Sequence, residues 1–191
     1  MIRDHLTYGL ARLAAVARQS EWATGEREGL TPTQGDILRL LAQRPAGLRL
    51  NAIAAHVSVT QPTASDAVSS LHGKQLVEKY SDPDDGRAVV VRLTKAASAV
   101  LGHLPQGFEP MVDTLSPGDQ AALLGIVSRA ILSLQMQGRI APQRMCQTCR
   151  YFVHDAHPGA TNPHHCRFVD APLGKTDLRI DCAEHEALTA P

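Results

Sequence analysis

The sequence has no net charge, no long apolar run and no internal repeat. Its 19 basic and 19 acidic residues cancel, whereas nucleic-acid-binding proteins often carry a basic excess, so composition alone gives no support to DNA binding. No apolar run reaches the roughly 18 residues that a membrane helix needs. The N-terminal stretch also lacks the uninterrupted apolar segment of a signal peptide. We therefore expect a cytoplasmic protein that does not associate with a membrane.

Cysteine is absent before residue 146, and all four cysteines lie between residues 146 and 182. In the reducing cytoplasm such a cluster is more often a metal site or a redox device than a structural disulfide. A chain of 191 residues, of which 43% are hydrophobic and 20% are charged, is long enough to bury a core. Its length suits one domain with an appendage, or two small domains.

The first part of the chain shows helical periodicity. Apolar residues recur at helical spacing over residues 2–18, which predicts a first helix. Thr31 and Pro32 form a helix-entry signal before a second apolar run. A short helix is predicted in "RLNAIAAHV", and Thr60 is a good N-cap for the helix that follows, "QPTASDAVSSLHGK".

The spacing of apolar residues then changes from that of a helix to the two-residue alternation of a strand. The runs "LVEKYS" and "AVVVRL" are rich in valine and typical of strands. Between them, "DPDDGR" is a turn built from Asp, Pro and Gly, so a β-hairpin is predicted. Thr94 is predicted to cap a further helix, and Ser116 with Pro117 begins another that ends before Gly138.

Two short helices followed by a hairpin form the winged helix-turn-helix order. An α-helix fits the major groove of B-DNA, and a hairpin tip meets the adjacent minor groove or backbone. The helix that begins at Gln61 has an apolar face containing Ala64 and Leu71. Its opposite face carries polar side chains that can hydrogen-bond bases or phosphates, namely Gln61, Thr63, Ser65, Asp66 and Ser69. The predicted fold class is mainly α with a β-hairpin wing (α+β).

The stretch from Leu30 to Leu101 resembles the MarR family of bacterial repressors. The resemblance rests on "LTPTQGDILRLLA" and on "QPTASDAVSSLHGKQLVEKYSDPDDGRAVVVRLT", in which Pro83, Asp85 and Arg87 belong to the wing. It implies double-stranded operator DNA as a partner, with Arg87 entering the minor groove. Candidate DNA-binding residues are Arg49, Thr60, Gln61, Thr63, Ser65, Asp66, Ser69, Lys74 and Arg87.

The resemblance also implies a homodimer, whose dimer layer is formed by helices 2–18 and 117–137. A small-molecule effector is expected between that layer and the winged helix. The chain departs from the family where many members have further arginines, since it has Asp66, Ser70, Asp84 and Gly86 there. This departure should weaken phosphate attraction. DNA affinity is then either modest or dependent on other cations, namely Arg49, Lys74, Lys79 and Arg92.

The four cysteines follow the pattern C-x2-C-x16-C-x15-C, at Cys146, Cys149, Cys166 and Cys182. A Cys-x-x-Cys pair brings two thiolates onto one turn, close enough to share one metal or cluster. Zinc ribbons usually have a second such pair, whereas here the other two cysteines are single. Structural Zn²⁺, a [4Fe–4S] cluster, a redox disulfide and free thiols therefore remain open.

This spacing resembles that of high-potential iron–sulfur proteins, in which a C-x2-C pair is followed by two lone cysteines. Those proteins place aromatic residues beside the cysteines, as Tyr151, Phe152 and Phe168 are placed here. The resemblance implies a [4Fe–4S] cluster, with Zn²⁺ as the alternative cofactor. We interpret the neighbouring histidines as solvated loop residues, namely His154, His157, His164, His165 and His185.

The sequence thus predicts two domains. Residues 1–138 form the dimerisation helices and the winged helix, with a DNA-binding core at 31–95, and residues 139–191 form a small, loop-rich cofactor-binding domain. The predicted function is a DNA-binding transcriptional regulator, a repressor rather than an enzyme, controlled or stabilised by its four-cysteine cluster. Two alternatives remain: a regulator with a structural zinc tail and a small organic effector, and an iron–sulfur electron-transfer protein that uses the winged helix for docking.

Overall fold

The computed structural model describes residues 1–82, 85–104 and 107–188. Pro83 and Asp84 of the wing signature lie outside these described residues. The chain divides into two compact units, Met1–Thr114 and Leu115–Pro191. The helix expected in the N-terminal domain at 117–137 is therefore grouped with the cysteine-rich segment, and the domain boundary at residue 138 stays a prediction.

The first unit is mainly helical, with a small antiparallel sheet. Its elements are α1 (Ile2–Glu28), α2 (Pro32–Ala42), β1 (Leu48–Arg49), α3 (Leu50–His56), α4 (Gln61–Gly73), β2 (Val77–Ser81), β3 (Val89–Leu93), α5 (Ala97–Leu101) and α6 (Glu109–Val112). The sheet order is β1-β3-β2. The order of helices and hairpin is the one that the sequence predicted.

The predicted N-caps of α2 and α4 are confirmed. The Thr31 hydroxyl accepts the Gln34 N–H at 3.3 Å, and the Gln34 side chain accepts the Thr31 N–H at 3.2 Å, which completes a capping box. The Thr60 hydroxyl accepts the Thr63 N–H at 3.3 Å. Such caps satisfy backbone donors that have no partner in the first turn of a helix.

Two sequence expectations about helix ends are wrong. The first helix continues ten residues beyond residue 18 to Glu28, and it ends where Gly29 adopts a left-handed conformation (φ 65°). Thr94 does not cap α5, which begins at Ala97. The Thr94 hydroxyl instead donates to the Gln75 carbonyl at 2.8 Å, a partner distant in sequence.

The hydrophobic core of the first unit lies between the helices and the sheet. In the hairpin, β2 and β3 pair antiparallel with Tyr80 opposite Val90. The alternation of strand residues turns Val77 and Val91 inward, where both are buried. The largest fully buried side chains of this core are Ile37, Leu38, Leu41, Ile53, Val68, Leu71, Val77 and Val91.

Gly47 is expected to be the glycine at which alanine does most damage. It has φ 83°, and a Cβ there would lie 2.6 Å from the Val91 carbonyl oxygen on β3. Gly47→Ala should therefore destabilise the protein by about 3 kcal/mol, through backbone strain and displacement of β3. Urea unfolding followed by circular dichroism measures the change.

Gly73 at the end of α4 is the matched control. Among the described residues, and leaving aside its chain neighbours and its own helix backbone, no atom lies within 4 Å of the position of its Cβ, and its φ is not positive. Gly73→Ala should leave stability unchanged or raise it by up to about 1 kcal/mol. Equal changes in stability for the two substitutions would contradict the inference that the positive φ and the close approach to β3 require glycine at position 47.

The second unit consists of one long helix and a loop-rich segment. Its elements are α7 (Pro117–Met136), a 3-10 turn (Cys146–Thr148), β4 (Phe152–Val153), β5 (His164–Cys166) and β6 (Ala171–Leu173). Ser116 caps α7 as predicted, since its hydroxyl accepts the Asp119 N–H at 3.2 Å. The three short strands form an antiparallel sheet in the order β4-β5-β6, which the sequence did not predict. No helix among the described residues is long and apolar enough to cross a membrane.

Candidate nucleic-acid interface and cysteine centre

Helix α4 has the two faces that the sequence predicted. Ala64, Ala67, Val68 and Leu71 are buried against the core. On the other side Gln61, Thr63, Asp66 and Ser69 are exposed, and Ser65 is half-buried. The exposed side chains of this polar face are accessible to a partner.

The N-terminus of α4 is held by a pair of threonines. The hydroxyl groups of Thr60 and Thr63 lie 2.8 Å apart, and the Thr60 hydroxyl also accepts the Thr63 N–H. Both predicted DNA-binding residues therefore have a local structural role. Because each hydroxyl keeps further hydrogen-bonding capacity, a contact with DNA stays a prediction for both.

Two aspartates brace the wing. The Asp82 carboxylate, which is buried, accepts the Arg49 Nε–H at 2.6 Å and the Asp85 backbone N–H at 3.1 Å. The Asp85 carboxylate in turn accepts the Arg87 backbone N–H at 3.1 Å. This chain of contacts fixes the backbone at Arg87, whose own side chain is exposed.

The predicted cations Arg49, Lys74 and Arg92, like Lys79 described below, make contacts within the first unit. Lys74 donates to the Gly29 carbonyl and, at 3.2 Å, to the Gln34 side chain, so it ties the end of α4 to the start of α2. Arg49 is held by Asp82. Arg92 donates to the Ala46 carbonyl at 2.8 Å and lies over the Tyr80 ring. DNA roles for these cations stay predictions, and Arg49 and Lys74 also stabilise the fold.

A contact between helix and hairpin was not predicted. Lys79 of β2 donates to the Ser69 hydroxyl of α4 at 3.1 Å. The two residues are ten positions apart and lie on different elements, so no periodicity in the sequence reveals the pair. The contact joins the polar face of α4 to the hairpin, and it makes the two elements one continuous surface.

All four cysteines line one cavity of about 550 Å³ in the second unit. Cys146 begins the 3-10 turn and Cys149 directly follows it. Cys166 ends β5, and Cys182 lies in the loop after β6. All four are half-buried and unbridged. The predicted aromatic neighbours Tyr151, Phe152 and Phe168 also line the cavity. The structure thus brings together four residues that the sequence separates by up to 36 positions.

Backbone contacts hold the cysteines at the cavity. The Cys146 N–H donates to the Arg179 carbonyl, and the Cys182 N–H donates to the Arg144 carbonyl, both at 3.0 Å. The Arg144 guanidinium also binds the Asp181 carboxylate at 2.6 Å. The Arg179 N–H points at the Cys146 sulfur at 3.2 Å, a typical contact of a negatively charged sulfur.

The electrostatics of the cavity disfavour a bare thiolate at Cys146. Burial raises the pKa of the Cys146 thiol, and charge on the other three cysteines raises it further, against the lowering effect of the Arg179 N–H. A positively charged group inside the cavity would favour the thiolate over the thiol, because it would attract all four sulfurs.

The possible metal-ligand sets in the structure bear on whether a single ion or a larger group would occupy the cavity. Within the described part of the chain, only one set of three His, Cys, Asp or Glu ligand atoms lies within a mutual 4.8 Å, and it contains no cysteine. A tetrahedral zinc ion with Zn–S bonds of about 2.3 Å would bring its thiolates to about 3.8 Å from one another. The cysteines therefore surround the cavity without converging on one point.

The interpretation of the histidines as solvated loop residues is wrong for His164. It lies on β5 with only 6% of its surface exposed, beside the Phe152 ring. His165 and His185 are half-buried, and His185 Nε2 lies 3.0 Å from the Thr148 hydroxyl. The sequence offered no sign of this burial, because it depends on the pairing of β4, β5 and β6.

The helices, the hairpin and the polar face of α4 together define a winged-helix protein. Residues 30–89 match the model of the MarR family. The chain therefore has a winged-helix fold and is similar to the MarR family over residues 30–89. The family match ends before the cysteines, and no curated protein sequence matches the chain.

Several solved structures share this mixed α/β fold. MepR from S. aureus in its DNA-binding conformation is 25% identical and has a TM-score of 0.59, with 68% of this chain and 98% of MepR covered. Sco3205 from Streptomyces coelicolor, a MarR family regulator in complex with DNA, is 23% identical with a TM-score of 0.60, and 71% of this chain and 89% of that one are covered. The PcaV regulator from Streptomyces coelicolor, in complex with its natural ligand, is 25% identical with a TM-score of 0.50, over 63% of this chain and 89% of PcaV.

Proposed function

We propose that this protein is a homodimeric transcriptional repressor that binds double-stranded operator DNA through α4 and the β2–β3 hairpin. The observation that carries the proposal is the exposed polar face of α4, joined to the hairpin by Lys79 and Ser69. A helix of this kind suits the major groove, and Arg87 on the adjacent hairpin suits the minor groove. MepR and Sco3205, whose solved structures are described with DNA or in a DNA-binding conformation, support the assignment by their similarity.

A second copy of the chain is the proposed partner of the apolar face of α1. Ile2, Leu6 and Leu10 recur at four-residue spacing and are 79%, 60% and 65% exposed. Such a stripe on one helix favours association, because burying it removes apolar surface from water. Helix α7 also exposes Ile126 and Met136, so it is proposed as the second element of the dimer layer.

Selection from random-sequence DNA tests the proposal. We expect the protein to enrich a palindromic site with half-sites about 10 base pairs apart, because a two-fold dimer presents its recognition helices one DNA turn apart. Light scattering should give twice the chain mass of 20.6 kDa. Enrichment of no sequence, or a monomer at micromolar concentration, would contradict the proposal.

The proposed cofactor is a [4Fe–4S] cluster held by Cys146, Cys149, Cys166 and Cys182. A cluster of this type takes one thiolate on each of four irons, so its ligands surround a volume and do not meet at one atom. The separated sulfurs and the cavity of about 550 Å³ support this choice over zinc. The aromatic side chains would limit the access of solvent to the cluster. The Arg179 N–H would donate a hydrogen bond to the Cys146 sulfur.

We further propose that the state of the cysteine centre biases the position of α7. The Gln135 side chain at the end of this helix accepts the Gln143 N–H at 3.0 Å. The adjacent Arg144 binds both Asp181 and the backbone of Cys182. A shift of Cys182 would therefore be transmitted along a short run of hydrogen bonds to α7. A change in the dimer layer would alter the spacing of the two recognition helices and hence operator affinity.

A small organic effector is proposed for a cavity of about 360 Å³ in the first unit. It is lined by α1, α2 and α6, with Glu21, Asp36 and Arg39 among its polar residues. The similarity to PcaV, which was solved with its natural ligand, supports the proposal. The carboxylates favour a ligand with hydrogen-bond donors or positive charge.

A further inference from the structure

Two imidazoles in the second unit converge on one carboxylate. His154 Nδ1 lies 3.1 Å from Asp155 Oδ2, and His164 Nδ1 lies 3.5 Å from Asp155 Oδ1. One ligand atom from each of the three residues lies within 4.8 Å of the other two. In the described part of the chain this is the set of His, Cys, Asp or Glu atoms that meets that criterion, and it is separate from the four cysteines.

His164 is held rigidly at this point. It is 6% exposed, its strand β5 pairs with β6 opposite Leu173, and its ring lies 5.3 Å from that of Phe152. The Asp155 backbone N–H donates to His164 Nδ1 at 3.2 Å. The ring is therefore oriented by its surroundings, as the histidine ligands of metal sites are.

Asp155 and His154 complete the arrangement from the solvent side. Both are exposed, and Asp155 has a positive φ of 48°, a conformation that Asp and Asn tolerate better than most residues. This turn directs one carboxylate oxygen towards each ring. A neighbouring cavity of about 730 Å³ is lined by all three residues and by residues 159–163 and 174–176, which leaves room for water molecules.

We propose that His154, Asp155 and His164 bind one divalent transition-metal ion, independently of the cysteine centre and of the proposed regulatory function. Two imidazole nitrogens and one carboxylate suit zinc, cobalt, nickel or iron(II), whereas magnesium and calcium prefer oxygen ligands alone. The carboxylate offsets part of the charge of the ion, and water fills the remaining positions. Binding through His164 Nδ1 replaces the contact from the Asp155 N–H with a bond to the metal.

Cobalt(II) titration of the full-length protein as purified, with its cysteine centre intact, tests this site. We expect visible ligand-field bands that saturate at one added cobalt per chain. A thiolate-to-cobalt charge-transfer band in the near ultraviolet should not accompany them, because no sulfur is a ligand. Asp155→Asn keeps the backbone conformation accessible, removes the anionic ligand, and should weaken binding at least roughly 100-fold. His154→Gln should act similarly.

His157→Gln is the matched control. His157 lies in the same segment, also pairs with a histidine at 3.2 Å, and is not a member of the triad. Its variant should bind cobalt as the parent protein does. Circular dichroism verifies that each variant is folded, and His164 is left unchanged because it is buried.

Two results would overturn the proposal. The first is cobalt binding that is equally strong in the parent, Asp155→Asn and His154→Gln proteins, or absent from all of them. The second is an increase in absorbance on cobalt addition that is dominated by a thiolate-to-cobalt charge-transfer band, which would place the ion at the cysteines. A histidine-detected NMR titration with zinc gives an independent readout, since His154 and His164 should shift and His157 should not.

Discussion

Protein purified without oxygen is expected to be brown and to contain about four irons per chain. The expectation follows from four cysteines around a cavity of about 550 Å³, since in the part of the chain that the structure describes the set of three ligand atoms within 4.8 Å of one another contains no cysteine. Exposure to air should bleach the colour as the cluster is lost. Metal analysis together with visible absorption measures both. A colourless protein with one zinc per chain would contradict the iron–sulfur assignment.

Neighbouring residues on β5 provide the matched variants. Cys166→Ser removes one thiolate from the cavity and should lower the iron content to less than about one quarter of that of the parent. His165→Gln changes the adjacent side chain, whose ring faces His157 and Asp170, and should leave the iron content unchanged. If iron is lost in His165→Gln and retained in Cys166→Ser, the ligand set is wrong.

The same variants separate a sensory from a structural role of the centre. If the centre biases α7, Cys166→Ser should change operator affinity while it remains folded and dimeric. A folded, dimeric Cys166→Ser protein that binds operator as tightly as the parent would contradict control by the centre. DNA binding itself would stand, because the winged helix lies in the other unit.

Arg87→Ala is expected to lower affinity for the selected operator by at least about 30-fold. Each good base contact contributes about 1–3 kcal/mol, and in a dimer the substitution acts at both half-sites. The Arg87 side chain is exposed and Asp85 holds its backbone N–H, which the substitution keeps, so the substitution should not unfold the hairpin. Fluorescence anisotropy with labelled operator measures the loss.

Lys95→Ala is the control for loss of charge. Lys95 is an exposed cation of the same unit, just beyond β3, and its removal changes the net charge by the same amount. We expect its effect to be less than about threefold at physiological salt, because exposed charges away from the DNA are largely screened. Equal losses in the two variants would show that Arg87 acts only through overall charge.

Local signals in the sequence determined much of the first unit. Thr31 and Thr60 were identified as caps, as was Ser116 in the second unit, because the capping interaction is made with a residue three positions away. The hairpin followed from a two-residue period on both sides of an Asp, Pro and Gly turn. The two faces of α4 followed from the helical period alone, and so did the polar residues offered to DNA.

Contacts between distant parts of the chain were decided only by the tertiary structure. Arg49 and Lys74 were predicted as DNA contacts from their charge, and the fold pairs them with Asp82 and with Gly29 and Gln34. Likewise, His164 reads in the sequence as a loop residue, yet pairing of three short strands buries it beside Asp155 and His154. Periodicity reports the environment of a residue only within its own element.

The sequence by itself determined the winged helix, the polar face of α4 and the clustering of four cysteines in one segment, because each depends on residue type and near-neighbour spacing. The tertiary structure alone decided that the four thiols surround one cavity, that Lys79 meets Ser69, and that two histidines share one carboxylate. These arrangements depend on how loops and strands bring together residues that lie far apart in the sequence or on different elements. The spacing of these residues along the chain does not predict how close they lie in the fold.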